Sequence, residues 1–170
     1  MSVHCHVSGG GASAAAIAAL HPAWIVKTTK LAPWAALNRA CKTAAADIVV
    51  LIDARTRVAA PLDGLLARLD TADILLLPRQ PDAGDDFERD LHVARTGTFN
   101  LGFLAVRTTG EGPRFAAWWA DRVFAYPEAV DEAAYLDQRW CDLVPGLFDK
   151  VAIERRPPPG LNLAFDRAAA

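Results

Sequence analysis

The most strongly patterned stretch of the chain is Asp47-Ile48-Val49-Val50-Leu51-Ile52-Asp53, five consecutive apolar, mostly β-branched residues between two carboxylates. An apolar run of this length without alternation predicts a strand covered on both faces, as in a parallel sheet. Asp73 to Pro78 repeats the pattern through Ile74-Leu75-Leu76-Leu77. Shorter strand signals lie over Val3 to Val7, Trp24 to Thr28, Gly102 to Arg107 and Val151 to Glu154.

Helical patterns separate these strands. Ala12 to Leu20 is Ala-rich and stops at His21-Pro22, because the residue before proline disfavours the α region. Pro33 to Ala45 and Pro61 to Leu69 follow, the latter with proline in its first turn. A polar loop, Arg79 to Asp86, leads into a short helix that reaches Arg95. Pro113 to Ala125 places Phe115, Trp118, Trp119, Arg122 and Val123 on overlapping helical faces. Asp131 to Leu143 reads as a helix capped by Asp131, with Leu136, Trp140, Leu143 and Val144 as its core stripe. Pro157-Pro158-Pro159-Gly160 forces an extended turn. This alternation predicts an α/β sandwich with a mainly parallel sheet flanked by helices. The expected domain spans residues 1–167, with 168–170 as a short tail.

Composition narrows the function classes. The 170 residues are 52% apolar and 22% charged, enough to bury a core in one domain. The net charge of -2, with no basic cluster, argues against nucleic-acid binding. No apolar run approaches the about 20 residues of a transmembrane helix. The first residues lack a basic n-region and a continuous apolar h-region, so the expected location is cytoplasmic. Cys5, Cys41 and Cys141 are too far apart for a CxxC site and read as small buried hydrophobes.

Candidate chemistry gathers in three places. Asp53 ends the buried strand where open α/β sheets bind ligands. A carboxylate there can coordinate a cation, hold a ribose hydroxyl, or simply end the strand in solvent. Gly97-Thr98-Phe99-Asn100-Leu101-Gly102-Phe103 frames an Asn between glycines just before a strand. That pattern suits close backbone approach to a sugar or, alternatively, a bulge or turn. Asp137 and Gln138 sit on the flank of the Leu136–Trp140 stripe, facing a cleft or solvent, and Asn162 follows the proline turn among apolar neighbours. His4 and His6 share a strand face but lack further ligands at metal spacing.

In order, these pieces resemble a family. HVSGGGASAAAIAALHPAWIVKTTKLAPWAALNRACKTAAADIVVLIDARTRV is similar to the nucleotide-binding half of family 2 glycosyltransferases. From Asp73 on, GTFNLGFLAVR, FAAWWADR, YLDQRWCDLVPGLFDKVAI and PPGLNLAFDR resemble bacterial transferases related to glycosyltransferase family 8. The resemblance implies a GT-A type, Rossmann-like fold and transfer of a sugar from a nucleoside diphosphate donor to a glycan or small-molecule acceptor, as in bacterial polysaccharide assembly. It places Asp53 at a metal–diphosphate site holding Mn²⁺ or Mg²⁺, Asn100 and Gly102 along the donor sugar or acceptor, Asp137 and Gln138 beside the reacting carbon, and Asn162 at the border of the cleft.

Departures from the family accompany the likeness. The DxD position reads Asp53-Ala54-Arg55, with arginine for the second carboxylate. Arg55, with Arg57, is then expected to meet the diphosphate directly and make metal dispensable. The turn that usually supplies an Asp to the base reads Ser8-Gly9-Gly10-Gly11-Ala12-Ser13. The usual first strand has no counterpart, which would leave an exposed sheet edge for a second copy to pair with. The alternative expectation is a degenerate, non-catalytic domain that binds a nucleotide sugar or a protein partner, and a third is an unrelated nucleotide-binding α/β module.

Overall fold

The computed structural model describes residues 1–9, 11–125 and 136–163. Strands β1 (Val3–Ser8), β2 (Ile25–Thr29), β3 (Ile48–Asp53), β5 (Ile74–Leu76), β6 (Phe103–Arg107) and β7 (Val151–Ile153) form one sheet in the order β2-β1-β3-β6-β5-β7. β6 runs antiparallel to both β3 and β5, and the other strands share one direction. The carboxyl ends of β1, β2, β3, β5 and β7 therefore open at one end of the sheet, and the chain enters β6 at that same end.

Both faces of the sheet are covered, as the unbroken apolar runs required. One face, with Cys5, Val7, Val50 and Ile52, packs on Ile17 of α1 (Gly11–Leu20) and on Leu62, Leu65 and Leu69. The opposite face, with Val49, Leu51, Leu104 and Val106, packs on Leu37 of α2 (Pro33–Thr43) and on Phe115 and Trp119 of α5 (Glu111–Ala125). Trp119 is fully buried, and its ring stacks with Phe115 at 5.8 Å. Burial pushes the Cys5 thiol up to about 12 and that of Cys41 to about 11, and all three cysteines are free. No helix among the described residues is long and apolar enough to cross a membrane.

Several boundaries differ from the sequence reading. The helix expected over Pro61 to Leu69 is a single turn, α3 (Asp63–Leu66), tightening into a 3₁₀ turn at Ala67–Asp70. α5 starts at Glu111, ahead of Pro113, because Asp73 Oδ2 accepts the Glu111 N–H at 2.9 Å. Pro113 then falls in the first turn, where no intrahelical N–H is needed. Asp131 and the start of its helix lie outside the described residues, and α6 covers Leu136–Cys141. The stripe breaks at Leu143, which is 47% exposed because α6 has ended and Val144 opens a new turn, α7 (Val144–Leu147). Unforeseen was the antiparallel ribbon of β4 (Arg57–Val58) and β8 (Leu161–Asn162). The chain's first strand is interior, paired with β2 and β3, and the two edge strands of the sheet are β2, where Ile25 is 49% exposed, and β7.

Candidate functional site at the strand ends

Asp53 closes β3, and the chain reverses at once, with Thr56 N donating to Asp53 O at 2.9 Å. The turn is tied to its surroundings: Ala54 N donates to Ser8 O, and Ser13 Oγ of α1 donates to Ala54 O at 2.7 Å. Within it, Arg55 N donates to Asp53 Oδ1 at 2.8 Å, the local turn that Asp favours. The Arg55 side chain then folds back as a fork, Nε to Oδ1 and Nη2 to Oδ2, each at 2.9 Å. This bonding pushes the Arg55 guanidinium pKa further up. A divalent cation needs several oxygen ligands, yet here a single carboxylate has both oxygens held by a guanidinium. Among the described residues no three His, Cys, Asp or Glu side chains come together as a metal-holding group.

The Asn100 segment reaches the same turn. Asn100 is buried, and its Oδ1 accepts the Gly102 N–H at 2.8 Å. The Gly102 carbonyl in turn accepts from Asp53 N and Thr56 Oγ1, both at 3.0 Å. Asn100 thereby sets the loop that fixes the end of β3, and both residues belong to one bonded unit. The loop also extends the β5–β6 ladder outward, since Asn100 N donates to Leu77 O and Arg79 N to Thr98 O.

The other end of this loop seats α6. Gly97 has φ +109°, and a Cβ there would lie 3.1 Å from the backbone and Cβ of Gln138. Thr98 N donates to Asp142 Oδ1 at 2.7 Å. Burial pushes the Asp142 carboxyl up, opposed by that hydrogen bond. Asp137 Oδ1 accepts the Gln138 N–H at 2.9 Å, and its carbonyl accepts from Trp119 Nε1 at 2.8 Å, fixing the first turn of α6 to the core. The buried Arg79 guanidinium donates to Thr96 Oγ1, in α4 (Phe87–Thr96), and to Gln138 Oε1. Sequence reasoning placed Arg79 at the start of a polar loop. Its signal was position, immediately after the buried ILLLP run, as Asp53 and Arg55 follow IVVLI.

Asn162 lies opposite Arg57 in the β4–β8 ribbon and is exposed, while Ala59 N donates to Gly160 O at 2.8 Å to close the pair. The structure thus joins the candidate residues in groups: Asp53 with Arg55, Asn100 and Gly102; Arg57 with Asn162; and Asp137 and Gln138 through Gly97 and Arg79.

A narrow crevice beside Asp53 is lined by His6, Ser8, Thr29 and Leu101. It shares His6 and Thr29 with a groove of about 330 Å³ that Lys27 of β2 and Arg39 of α2 also line. Burial, then the neighbouring His4 and Lys27, hold the His6 pKa below its usual value. Among the described residues no carboxylate lines this groove, whose basic side chains and threonine hydroxyls suit an anion.

No protein-family model matches the sequence, and no curated protein matches it. Among solved structures the chain is similar to a glycosyltransferase involved in the glycosylation of the major capsid of PBCV-1, with TM-score 0.58 and 8% identity. That match covers 91% of this chain and 82% of the other. The chain is also similar to the glycosyltransferase GlyE of Streptococcus pneumoniae TIGR4, with TM-score 0.52 and 15% identity over 89% of this chain and 44% of that one. The six-stranded, mainly parallel sheet with helices on both faces is thus a fold that this chain shares with these two glycosyltransferases.

Proposed function

We propose that the chain transfers a sugar from a nucleoside diphosphate donor to an acceptor hydroxyl, with Arg55 serving where a metal-binding carboxylate is usual. The observation that carries this reading is the Asp53–Arg55 fork at the carboxyl end of β3, beside the basic groove of His6, Lys27 and Arg39. In the transfer, the acceptor oxygen bonds the anomeric carbon as the bond to the diphosphate breaks. The electron pair leaves with the diphosphate, and the hydroxyl proton is released. The fork uses Nε and Nη2 of Arg55, leaving Nη1 for phosphate oxygens, with Arg57 close in sequence as a second cation. Fixed cations facing a leaving group that gains charge favour the transition state over the ground state. Asp137 and Gln138 would orient the reacting sugar, with Asn100, Gly102 and Asn162 along the donor.

The finer lineage belongs to the same proposal: a first half of family 2 type, a second half of family 8 type, and work in bacterial polysaccharide assembly in the cytoplasm. The β2 edge would be the place for a second copy to pair, which sedimentation at high concentration tests. Calorimetric titration with UDP-, GDP- and dTDP-sugars, with Mn²⁺ and then with chelator, tests the donor. Metal-independent binding of one donor is the expected result, and a folded protein that binds none sinks the proposal.

The same ion pair favours a second reading. Both oxygens of the strand-end carboxylate are neutralised within the chain, as in a domain that binds a nucleotide sugar without turning it over. Release of nucleoside diphosphate in the presence of an acceptor separates the two.

A further inference from the structure

The groove of about 330 Å³ between edge strand β2 and helix α2 differs in charge from the molecule as a whole. The chain carries 20 carboxylate side chains against 18 lysines and arginines, yet this groove is lined by His6, Lys27 and Arg39 with no carboxylate among the described residues. Register brings the first two together. His6 lies opposite Lys27, and Ser8 opposite Thr29, across the parallel β1–β2 pair, so all four share one face of the sheet. On α2, Ala36, Arg39 and Ala40 fall at i, i+3 and i+4, and the two alanines leave open the space that larger side chains would fill.

These groups are within reach of a ligand. Lys27 and Arg39 are exposed, and neither is in an ion pair with a described carboxylate. The half-buried His6 ring has no hydrogen-bond partner among the described residues, and neither of its nitrogens is sealed from solvent. Thr29 Oγ1 accepts the Leu31 N–H at 3.1 Å, which leaves its own hydrogen to donate.

A guanidinium fork, an ammonium and a hydroxyl suit an anion that offers several oxygens, a phosphate before a carboxylate. The volume exceeds what a bare ion fills and lies at the small end of ligand sites. Leu31, Ala36 and Ala40 add an apolar wall for the C–H face of a sugar. Apart from His6, no aromatic side chain among the described residues lines the groove, so a nucleobase would lack a platform to stack on. Toward Asp53 the adjoining crevice holds only about 10 Å³, room for one water at most, which separates a ligand here from one at Arg55.

We propose that the groove between β2 and α2 binds a phosphorylated sugar, with the phosphate held by Lys27, Arg39 and the Thr29 hydroxyl. The site is distinct from the diphosphate position at Arg55 and does not rest on the transferase reading. His6 reports its occupancy. The titratable and charged groups around that ring are His4 on β1, Lys27 on β2, Arg39 on α2 and, at the crevice end, Asp53. All but Asp53 are basic, and a bound phosphate offsets them in favour of the charged imidazole.

The test is an NMR titration of the full chain at constant ionic strength with glucose-6-phosphate, glucose-1-phosphate, inorganic phosphate and glucose, and separately with UDP-, GDP- and dTDP-sugars. At least one sugar phosphate is expected to shift the amides of Lys27, Thr29 and Arg39, and to bind more tightly than inorganic phosphate. Glucose at the same concentrations should leave them in place. Saturation should raise the titration midpoint of the His6 ring and not that of His21. Lys27→Gln and Arg39→Gln, both at exposed positions, should each weaken the sugar phosphate about tenfold. No shift at these residues, equal affinity for inorganic phosphate, an unmoved His6 midpoint, or full affinity in both variants overturns the proposal. A nucleotide sugar that displaces the sugar phosphate also overturns it, since the groove would then belong to the donor. Sugar phosphate bound here with no nucleotide sugar bound anywhere upholds the groove and removes the transferase reading.

Discussion

Asp53 and Arg55, two residues apart, form a two-pronged ion pair in which Nε and Nη2 lie 2.9 Å from the two carboxylate oxygens. The pair forms because the turn after β3 is tight enough for Arg55 N to bond the same carboxylate. An aspartate at position 55 would present a second carboxylate from the same turn and so add oxygen ligands for a cation. The expected phenotype of the natural chain is nucleotide-sugar binding that chelator leaves unchanged. Arg55→Ala should lower affinity by about tenfold to a hundredfold, the range for a charge-assisted bond to phosphate. Arg55→Asp should restore binding only with Mn²⁺. Calorimetry on the three proteins checks this, and a wild-type chain that needs metal contradicts the assignment of Arg55.

The contact of Gly97 with Gln138 makes a prediction about stability. A side chain at φ +109° is strained whatever the space, and here its Cβ would also meet α6 at 3.1 Å. Gly97→Ala should cost about 1–3 kcal/mol in urea unfolding. Gly64 in α3 is the control, since nothing lies within 4 Å of its added Cβ. Gly64→Ala should be neutral or stabilise by about 0.5–1 kcal/mol. Equal effects at the two positions would mean that the Gly97 contact carries no energy.

The sequence made the sheet legible where burial on both faces left nothing but apolar residues, at Ile48–Ile52 and Ile74–Leu77. Asp53 was legible for the same reason, as the first polar residue beyond a buried run. Periodicity could not show that Leu143 escapes its stripe, because after Cys141 the chain tightens into two i→i−3 bonds, Asp142 N to Arg139 O and Leu143 N to Trp140 O, and Leu143 turns to solvent. Nor could it show the pairing of Arg57 with Asn162, a contact across more than a hundred residues with two-residue strands and no run to detect. Arg79 was hidden by its type: arginine in a polar stretch reads as exposed, and only tertiary placement of Thr96 and Gln138 buries it.

That burial makes Arg79 testable. Arg79→Met leaves Gln138 Oε1 without this donor and deprives Thr96 Oγ1 of another, although the Thr96 hydroxyl still donates to His92 O. The expected loss is about 1–3 kcal/mol, the cost of an orphaned buried group. Replacing Gln138 by Met as well should cost less than the sum of the single changes, because both act on one bond. A denaturant double-mutant cycle measures the coupling; strict additivity would show that the pair is incidental.

His21 gives the fold a dependence on pH whose sign is fixed by its surroundings. The ring is buried, stacks on Trp24 at 3.7 Å, and accepts the Leu62 N–H at Nε2 over 3.2 Å. Burial holds its pKa below the usual 6.5, while Asp63, 3.5 Å from Nδ1, pulls the other way. Protonation at Nε2 would set two donors against each other, so the folded chain keeps the ring neutral to lower pH than the unfolded chain does. The unfolded chain therefore binds more protons in that window, and stability rises with pH there. The contribution is complete above the unfolded value of 6.5 and is lost as pH falls from there through the folded pKa. Urea midpoints should decline between about pH 7.5 and about pH 5 in the wild type. His21→Gln, which can keep an acceptor toward Leu62 but does not titrate, should flatten that decline. His6 shifts in the same direction, from burial and then from His4 and Lys27, so the slope should fall further in the His6→Gln, His21→Gln double variant. An undiminished slope in the double variant would place the dependence outside both histidines.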